Sequence, residues 1–373
     1  MTVKIERPAF NLREKLSEID RPVGNLGTEI LKTNTIDEFF HNYAIGRKNL
    51  LINGQFDIWQ RGTTFANQGG GNTGYKADRW RIYSASGSVI TCTRESFNVG
   101  QNKVPGNPRY MLRLSNVPDA NTSWMEIEQR VEDVTRFSDR WITISFWIRA
   151  NQPQYRNDYL SVKLNFGSGG SSDMQFGATP FNISTEWERK VFTYYCPTIS
   201  GKTVGSSSFL EMKTLQASAT QADTYYDVAN FQMEYGRQAT PIEQRSLGEE
   251  LALCQRYYAI FHPTGQEQVY IESGGTQSHS FVNFPIPPGM RTEPSVGLEG
   301  TWTGGGMVGG RTVAGASVQT VDNGGLGSNT HPGSMGRVSV RITRSGSSYG
   351  DAEIRHTDAW QDGTAWLAYA AEL

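Results

Sequence analysis

The segment WITISFWIRA, residues 141–150, constrains the fold more than any other part of this sequence. Apolar side chains recur at every second position along it, at Ile142, Ile144, Phe146 and Ile148. A period of two residues places these four side chains on one face of a β-strand, whereas a helix would spread them around its axis. The segment therefore predicts a strand that has one face in a hydrophobic core.

The same period recurs through the middle of the chain, in EWERKVFTYY, DTYYDVANFQMEYG and shorter runs such as YMLRLSN. Clusters of Gly, Pro, Asn and Asp separate these runs, and only 19% of the 373 residues are charged. Short alternating strands divided by turn residues are typical of a two-sheet antiparallel sandwich. We predict a mainly β protein of two or three domains in which residues 49–244 form a jelly-roll β-sandwich.

The sandwich is expected to begin within RKNLLINGQFDIWQRGTTF, residues 47–65. Apolar side chains surround an Asn-Gly pair there. We interpret the segment as the first strand, with the Asn-Gly pair as its turn or bulge, and with Phe56 and Trp59 as core anchors.

Residues 1–48 differ from the rest of the chain because they carry two short helix signals. Asn11 with Glu14, and Thr35 with Glu38, have the spacing of a helix N-terminal capping box. Helices this short are marginal in water without tertiary support. The leader is therefore either a flexible terminus or a docking segment that becomes ordered on a partner. The apolar side chains expected to make the docking contact are Phe10, Leu12, Leu16, Ile19, Phe39 and Phe40.

A connecting helix is predicted over residues 245–261. Ser246 and Glu249 form a third capping box. The apolar positions that follow are separated by alternating steps of four and three residues, which is the pattern of a helix seam. The helix either packs on its own sandwich or lies near an oligomer axis. The seam positions are Leu247, Leu251, Cys254, Tyr258 and Phe261.

Residues 262–373 are rich in glycine but contain further alternation. The segments GRVSVRITRS and TAWLAYAAEL each place apolar side chains at every second position. We predict a small C-terminal β-sandwich whose long loops make it the candidate receptor-binding domain.

Composition argues against two classes of partner. The net charge is -2 and the sequence contains no basic run, so nucleic acid is not an expected partner. No apolar run has the length of an export signal or of a membrane helix, which predicts a soluble product made in the cytoplasm without membrane insertion. Cys92, Cys196 and Cys254 match no metal-binding or redox spacing, and we expect them to be buried.

No sequence motif indicates an enzyme. The chain lacks H-E-x-x-H and G-x-S-x-G, and it lacks the short coil repeats of a parallel β-helix. The 37 acidic residues leave a carboxylate pair for glycoside cleavage open, since such pairs are common by composition. We predict that the protein is not an enzyme and that it needs no cofactor.

The order of several motifs resembles two related groups of proteins. NLLINGQFDIW, SFWIRA, WERKVFT and DVANFQMEYG, in that order, resemble the jelly rolls of carbohydrate-binding modules. RPAFNLREKLSEIDRPVG, KNLLINGQFDIWQRGTTF, ADRW and ATPIEQRSLGEELALCQRYY resemble fibre, head-spike and receptor-binding proteins of tailed bacteriophages and of phage-like gene transfer agents. The resemblance covers residues 7–261.

This resemblance implies a virion structural protein at the capsid or tail surface, made in the bacterial host cytoplasm. Residues 1–48 would dock to a capsid or tail protein, and the sandwiches would adhere to host surface polysaccharide. A homotrimer is the favoured assembly, with five-fold order as the alternative. The competing functions are a capsule-degrading hydrolase or lyase, and a purely structural adaptor between the particle and another fibre protein.

Sugar binding requires an aromatic platform beside polar groups that satisfy the ring of hydroxyls. Trp141, Trp147 and Arg149 lie on the face of the 141–150 strand opposite its aliphatic row, and would suit this if that face is open. The alternative is that the leader or a neighbouring subunit covers them. In the C-terminal part, the candidates near glycine or polar loops are Trp302, Tyr349, His356 and Trp360.

A structural calcium ion is implied by the resemblance to carbohydrate-binding jelly rolls. Asp57 and Asp227 fall in the segments where calcium ligands would lie in such proteins. The alternative is that both are ordinary surface carboxylates.

Overall fold

The computed structural model describes residues 48–69, 73–84, 89–117, 125–214 and 224–261, and shorter C-terminal segments at 279–285, 289–291, 295–300, 305–308, 311–314, 317–320, 337–343, 354–355 and 365–372. The leader, with its six predicted docking residues, lies outside the described residues, apart from Lys48. The docking assignment therefore stays a prediction.

Two six-stranded antiparallel sheets form the middle of the chain, which confirms the predicted β-sandwich. Sheet A has the strand order β1-β4-β5-β12-β7-β10, and sheet B has the order β2-β3-β6-β11-β8-β9. The strands are β1 (Thr64–Gly69), β2 (Thr73–Tyr75), β3 (Arg81–Ser84), β4 (Val89–Ser96), β5 (Tyr110–Val117), β6 (Met125–Glu132), β7 (Arg140–Ala150), β8 (Gln154–Asn165), β9 (Met174–Ile183), β10 (Glu188–Cys196), β11 (Phe209–Thr214) and β12 (Thr224–Tyr235).

The core lies between the two sheets, and β7 contributes one side of it. Ile142, Ile144, Phe146 and Ile148 are all fully buried, as the two-residue period predicts. The ring of Phe146 stacks on Phe231 of β12, with 4.5 Å between the ring centroids. Burial of the apolar rows of both sheets removes their surface from water and is the main stabilising term of such a sandwich.

The segment around the Asn-Gly pair is not the first strand, which corrects the prediction. Among the described residues the first strand begins only at Thr64, and residues 48–63 form turns, bends and irregular backbone. The side chain of Asn53 explains this because it occupies backbone partners that a ladder would use. Its Nδ2 donates to the carbonyl oxygens of Ile58 and Asp78, and its Oδ1 accepts from the backbone N–H of Ile58.

The residue after Asn53 has to be glycine, because a Cβ atom on Gly54 would lie 2.1 Å from the carbonyl oxygen of Phe231. Phe56 and Trp59 are buried in the core as predicted, although they lie on turns and not on a strand.

The connecting helix is shorter than predicted. Helix α1 spans Leu247–Gln255, and Ser246 caps it by accepting a hydrogen bond from the backbone N–H of Glu249. The next element is strand β13 (Tyr258–Phe261), so the last two predicted seam positions are not helical. Leu247 is 60% exposed and Cys254 is buried, so the seam does not form one apolar stripe.

The helix ends where it does because the following tyrosines pack on two arginines of the sandwich. The guanidinium carbons of Arg61 and Arg79 each lie 3.4 Å from the ring centroid of a tyrosine, Tyr258 and Tyr257 respectively. Both arginines also pair with Glu372 near the end of the chain. We call these five side chains the junction. Burial raises the pKa of the Tyr257 hydroxyl to about 12.

The C-terminal part consists of short antiparallel strands in its described segments. Three sheets of three strands are present there, with the orders β13-β21-β15, β14-β19-β18 and β17-β16-β20. The predicted alternating segments are confirmed as strands β19 and β21. Besides β13, the strands of these three sheets are β14 (His279–Pro285), β15 (Ser295–Gly300), β16 (Gly305–Val308), β17 (Arg311–Ala314), β18 (Ser317–Thr320), β19 (Arg337–Thr343), β20 (Ile354–Arg355) and β21 (Ala365–Ala370).

Candidate functional site

The outer face of sheet A carries the sugar-site residues that the sequence pointed to, and the middle of this face is closed. Thr143 and Ser145, between the predicted tryptophans on β7, are buried. Residues 236–245, which follow β12, cross the sheet here. We call this segment the strap.

Hydrogen bonds fix the strap to the sheet. Glu234 accepts from the backbone N–H and the hydroxyl of Thr240, at 2.8 and 2.7 Å. Gln232 accepts from the backbone N–H of Glu243 at 2.8 Å, and Thr143 donates to the carbonyl oxygen of Gly236 at 2.9 Å. The strap therefore covers the centre of this face, which neither of the two alternatives had named. The leader lies outside the described residues, so its contact with this face stays a prediction.

Trp141 lies beyond one side of the strap and is exposed. It is directly opposite Tyr195 of β10 in the ladder, and the two ring centroids are 5.3 Å apart at an interplanar angle of 52°. Trp141 is 38% exposed and Tyr195 is 43% exposed, and they are the only exposed aromatic side chains among the residues whose side chains are described. We call this pair the platform.

Charged groups surround the platform. The Tyr195 hydroxyl donates a hydrogen bond to Asp139, and this bond raises the pKa of that hydroxyl. The guanidinium carbon of Arg237, at the start of the strap, lies 4.5 Å from the centroid of the Trp141 ring. The platform thus combines two apolar ring faces with a carboxylate acceptor and a guanidinium donor.

The other two predicted residues lie beyond the opposite side of the strap and have different surroundings. Trp147 packs in a small apolar cluster with Val104, Met111 and Ala229, and it does not form an open platform. Arg149 pairs with the buried carboxylate of Asp227, which also pairs with Arg113 of β5. The sequence pattern had grouped the three candidates Trp141, Trp147 and Arg149, and the structure separates Trp141 from the other two.

Asp227 is held by cations of the protein, which does not fit a calcium ligand. Its Oδ1 and Oδ2 accept hydrogen bonds from Arg113 at 2.7 and 2.9 Å, and Oδ2 also accepts from Arg149. Asp57 is half-buried, and burial together with the charge of Glu250 raises its pKa. In the described part of the chain, no group of three or more acidic, histidine or cysteine side chains is arranged to hold a metal ion. These residues therefore do not fit the implied calcium ion.

Sheet B carries three buried glutamates on its outer face, where a hydrolytic carboxylate pair would be sought. Lys213 contacts Glu126, Glu128 and Glu211 at 3.1, 4.0 and 3.3 Å. Further cations reach the same carboxylates from neighbouring strands, so each glutamate is ion-paired. These additional cations are Arg81, Arg130 and Lys163. Burial nevertheless raises the pKa of Glu126.

The remaining candidate residues have separate outcomes. Cys92, Cys196 and Cys254 are buried and free, as expected. No helix within the described residues is long and apolar enough to cross a membrane. The predicted C-terminal sugar contacts lie outside the residues that the structure describes, and they stay predictions. These are Trp302, Tyr349, His356 and Trp360.

Nothing in the sequence pattern selected Tyr195, Asp139 or Arg237 as site residues. Tyr195 alternates with buried positions on β10, so its outward direction was available from the pattern. Its position opposite Trp141 depends on the pairing of β10 with β7, whose sequence separation gives no local signal for register. Arg237 reaches Trp141 only because the strap turns back over the sheet.

Comparison with known proteins gives no family for this chain. No family model matches it, and no curated protein matches it. One similar solved structure is the enzymatically active domain of tailspike protein 4 of bacteriophage CBA120, at 12% identity and a TM-score of 0.32. That match covers 50% of this chain and 21% of the tailspike chain, so this chain spans about a fifth of the protein it matches.

Two carbohydrate-binding modules are also similar in structure. The CBM22-1 xylan-binding domain of Paenibacillus barcinonensis Xyn10C has 14% identity and a TM-score of 0.30, covering 52% of this chain and 99% of that one. The family 11 module of Clostridium thermocellum Lic26A-Cel5E has 14% identity and a TM-score of 0.28, covering 44% and 91%. At these scores the similarities carry no conclusion about what this chain binds.

Proposed function

We propose that this protein is an adhesive subunit of a virion fibre or spike, and that it binds polysaccharide of the host surface through the platform. The observation that carries the proposal is the exposure of Trp141 and Tyr195 side by side on a rigid sheet. Two adjacent exposed aromatic rings are more informative than a single exposed apolar residue, because together they form an apolar patch on the surface.

The chemistry of the platform suits a sugar ring. The apolar C–H face of a pyranose packs on an aromatic ring, while its hydroxyls require donors and acceptors at the rim. Asp139 accepts, Arg237 donates, and the Tyr195 hydroxyl, which donates its proton to Asp139, accepts. Both aromatic side chains stand on paired strands, so little conformational freedom is lost on binding.

The virion part of the proposal draws its support from the motifs of the leader and of residues 47–65. In this account residues 1–48 dock to a capsid or tail protein, and several copies of the chain project from the particle, most simply as a trimer. Several weak sugar sites on one particle bind far more strongly than one, because the second contact is intramolecular.

Replacing Trp141 by alanine is expected to lower retention of the purified chain on capsulated host cells by about tenfold per site, which corresponds to about 1.4 kcal/mol. Trp141 is partly exposed, so its removal leaves the core intact. Val204→Ala is the matched control because Val204, between β10 and β11, is 39% exposed. Retention is measured on capsulated cells and on cells without capsule.

Three outcomes would contradict the proposal. Equal retention of the wild-type chain on both cell types would overturn the glycan role. An equal loss of retention in Trp141→Ala and Val204→Ala would show that the platform is not the binding surface. Release of reducing ends from purified capsule would instead indicate a hydrolase, for which the glutamates of sheet B would be the site; we expect none, because those glutamates are ion-paired.

Deletion of residues 1–48 is expected to abolish incorporation of the protein into particles without unfolding the sandwich, because the described core of the sandwich is built from residues between Leu51 and Met233. Particles purified from host cells that express the shortened chain provide the measurement, with the full-length chain as control. Continued incorporation of the shortened chain would overturn the docking role of the leader.

A further inference from the structure

A line of paired side chains crosses the outer face of sheet A on the side of the strap away from the platform. In the ladders, Thr93 lies opposite Arg113, Arg113 opposite Asp227, and Asp227 opposite Arg149. Residues directly opposite each other on one face are close enough for their side chains to interact. We call Arg113, Asp227 and Arg149, with the neighbouring ring of Trp187, the arginine row.

Both guanidinium groups of the row are fixed on more than one side. Arg113 binds Asp227 through Nε and Nη2, and its carbon Cζ lies 4.1 Å from the ring centroid of Tyr225. Arg149 binds Asp227 through Nε and Nη2, and its Cζ lies 5.1 Å from the ring centroid of Trp187. A guanidinium held at its edge and its face is preorganised, which lowers the entropy lost when it binds a ligand.

Donors of the row remain available to a ligand. The Nη1 groups of Arg113 and Arg149 make no hydrogen bond with the described residues, and the two side chains are 25% and 31% exposed. Asp227 is fully buried beneath them, so solvent meets the guanidinium groups and not the carboxylate.

The charges of the row do not cancel. Two guanidinium groups share one carboxylate. The hydrogen bond to Asp227, and also the negative charge of Glu95 on β4, raise the pKa of Arg113. Asp227 is the acidic partner of Arg149 among the described residues. The row therefore carries one net positive charge, from two guanidinium groups and one carboxylate.

We propose that the arginine row is a second sugar subsite, and that it selects a carboxylate-bearing sugar such as a uronic acid. The carboxylate of the sugar accepts hydrogen bonds from the Nη1 group of Arg149, beside the half-buried ring of Trp187. Arg113 and Asp227 are positioning residues, since they hold Arg149 in place. This inference rests on the proposed polysaccharide binding and names the class of polysaccharide.

The test uses the full chain with polygalacturonate, alginate and hyaluronan, each beside its carboxyl-reduced form. Each pair has the same backbone and differs in the carboxylate. We expect the wild-type chain to bind at least one acidic polymer about tenfold more tightly than its reduced form, the size expected of a charge-assisted hydrogen bond.

Arg149→Gln is expected to bring this ratio close to one. The variant should fold because Arg113 still binds both oxygens of Asp227. Arg136→Gln is the matched control, because it removes the same charge from an exposed position in the turn Val134–Phe137. The control should keep the wild-type ratio.

The outcomes separate this inference from the proposed function. Binding of a polymer and its reduced form with equal affinity, for all three pairs, would overturn the acidic subsite and leave polysaccharide binding in place. An equal fall of the affinity ratio in Arg149→Gln and Arg136→Gln would show that the preference depends on net charge alone. That result would also overturn the acidic subsite. No binding of any polymer, together with equal retention on cells with and without capsule, would overturn both proposals.

Discussion

Trp80→Ala is expected to destabilise the sandwich by about 3–5 kcal/mol, the range for removal of a fully buried aromatic side chain. Trp80 has no exposed surface and lies 5.1 Å from Phe56 and 4.8 Å from Phe231 between ring centroids. Its Nε1 donates to the carbonyl oxygen of Asn53 at 2.8 Å. The substitution therefore opens a cavity and leaves a buried carbonyl without its donor.

Urea unfolding followed by circular dichroism measures this effect. Trp141→Ala is the matched control, since it removes the same side chain from an exposed position and should change stability by much less. A Trp80→Ala protein with an unfolding midpoint equal to that of the control would contradict the described packing of Trp80 on Phe56 and Phe231.

Glu372→Gln is expected to lower the free energy of unfolding by about 3–5 kcal/mol, the range for leaving one member of a buried ion pair without its partner. Glu372 binds both Arg61 and Arg79. Arg79 is almost fully buried, and Glu372 is its acidic partner among the described residues, so compensation of its charge depends on this carboxylate. The glutamine keeps the shape of the side chain and removes the charge.

Glu186→Gln provides the comparison for the junction. Glu186 pairs with Lys103 at 3.6 Å, and both side chains are mostly exposed. Exposed pairs contribute little, so this variant should be nearly neutral. Limited proteolysis should release C-terminal fragments containing β21 sooner from Glu372→Gln than from Glu186→Gln. Equal proteolysis and equal unfolding midpoints of the two variants would contradict the described junction.

The β-sandwich was predictable from the sequence because alternation has a single local cause, which is the burial of one face of each strand. Burial of one strand face forces an apolar residue at every second position, as at Ile142 and Ile144. The failures occurred where side chains replaced backbone pairing. The side-chain hydrogen bonds of Asn53 hold a predicted strand in a loop. Stacking of the two tyrosines on Arg61 and Arg79 ends the helix before Tyr257. Contacts between residues so distant in sequence leave no periodic signal.

The candidate site was predicted only in part for the same reason. The pattern identified which face of β7 carries Trp141, Trp147 and Arg149. It could not show that the strap divides this face, because the bonds of Gln232 and Glu234 to the strap are made by polar side chains with no periodicity. ADRW supplies Arg79 to the junction, and QRYY supplies Tyr257 and Tyr258, so both motifs have a structural role there.

Hydroxyl-radical footprinting of the full chain, with and without bound polysaccharide, shows whether the sugar covers the platform. We expect slower oxidation of Trp141 and Tyr195 when polysaccharide is bound, because the sugar ring covers their exposed faces. Oxidation of Val204 should stay unchanged. Unchanged oxidation of both platform rings at saturating polysaccharide would contradict the claim that the platform is the adhesive surface.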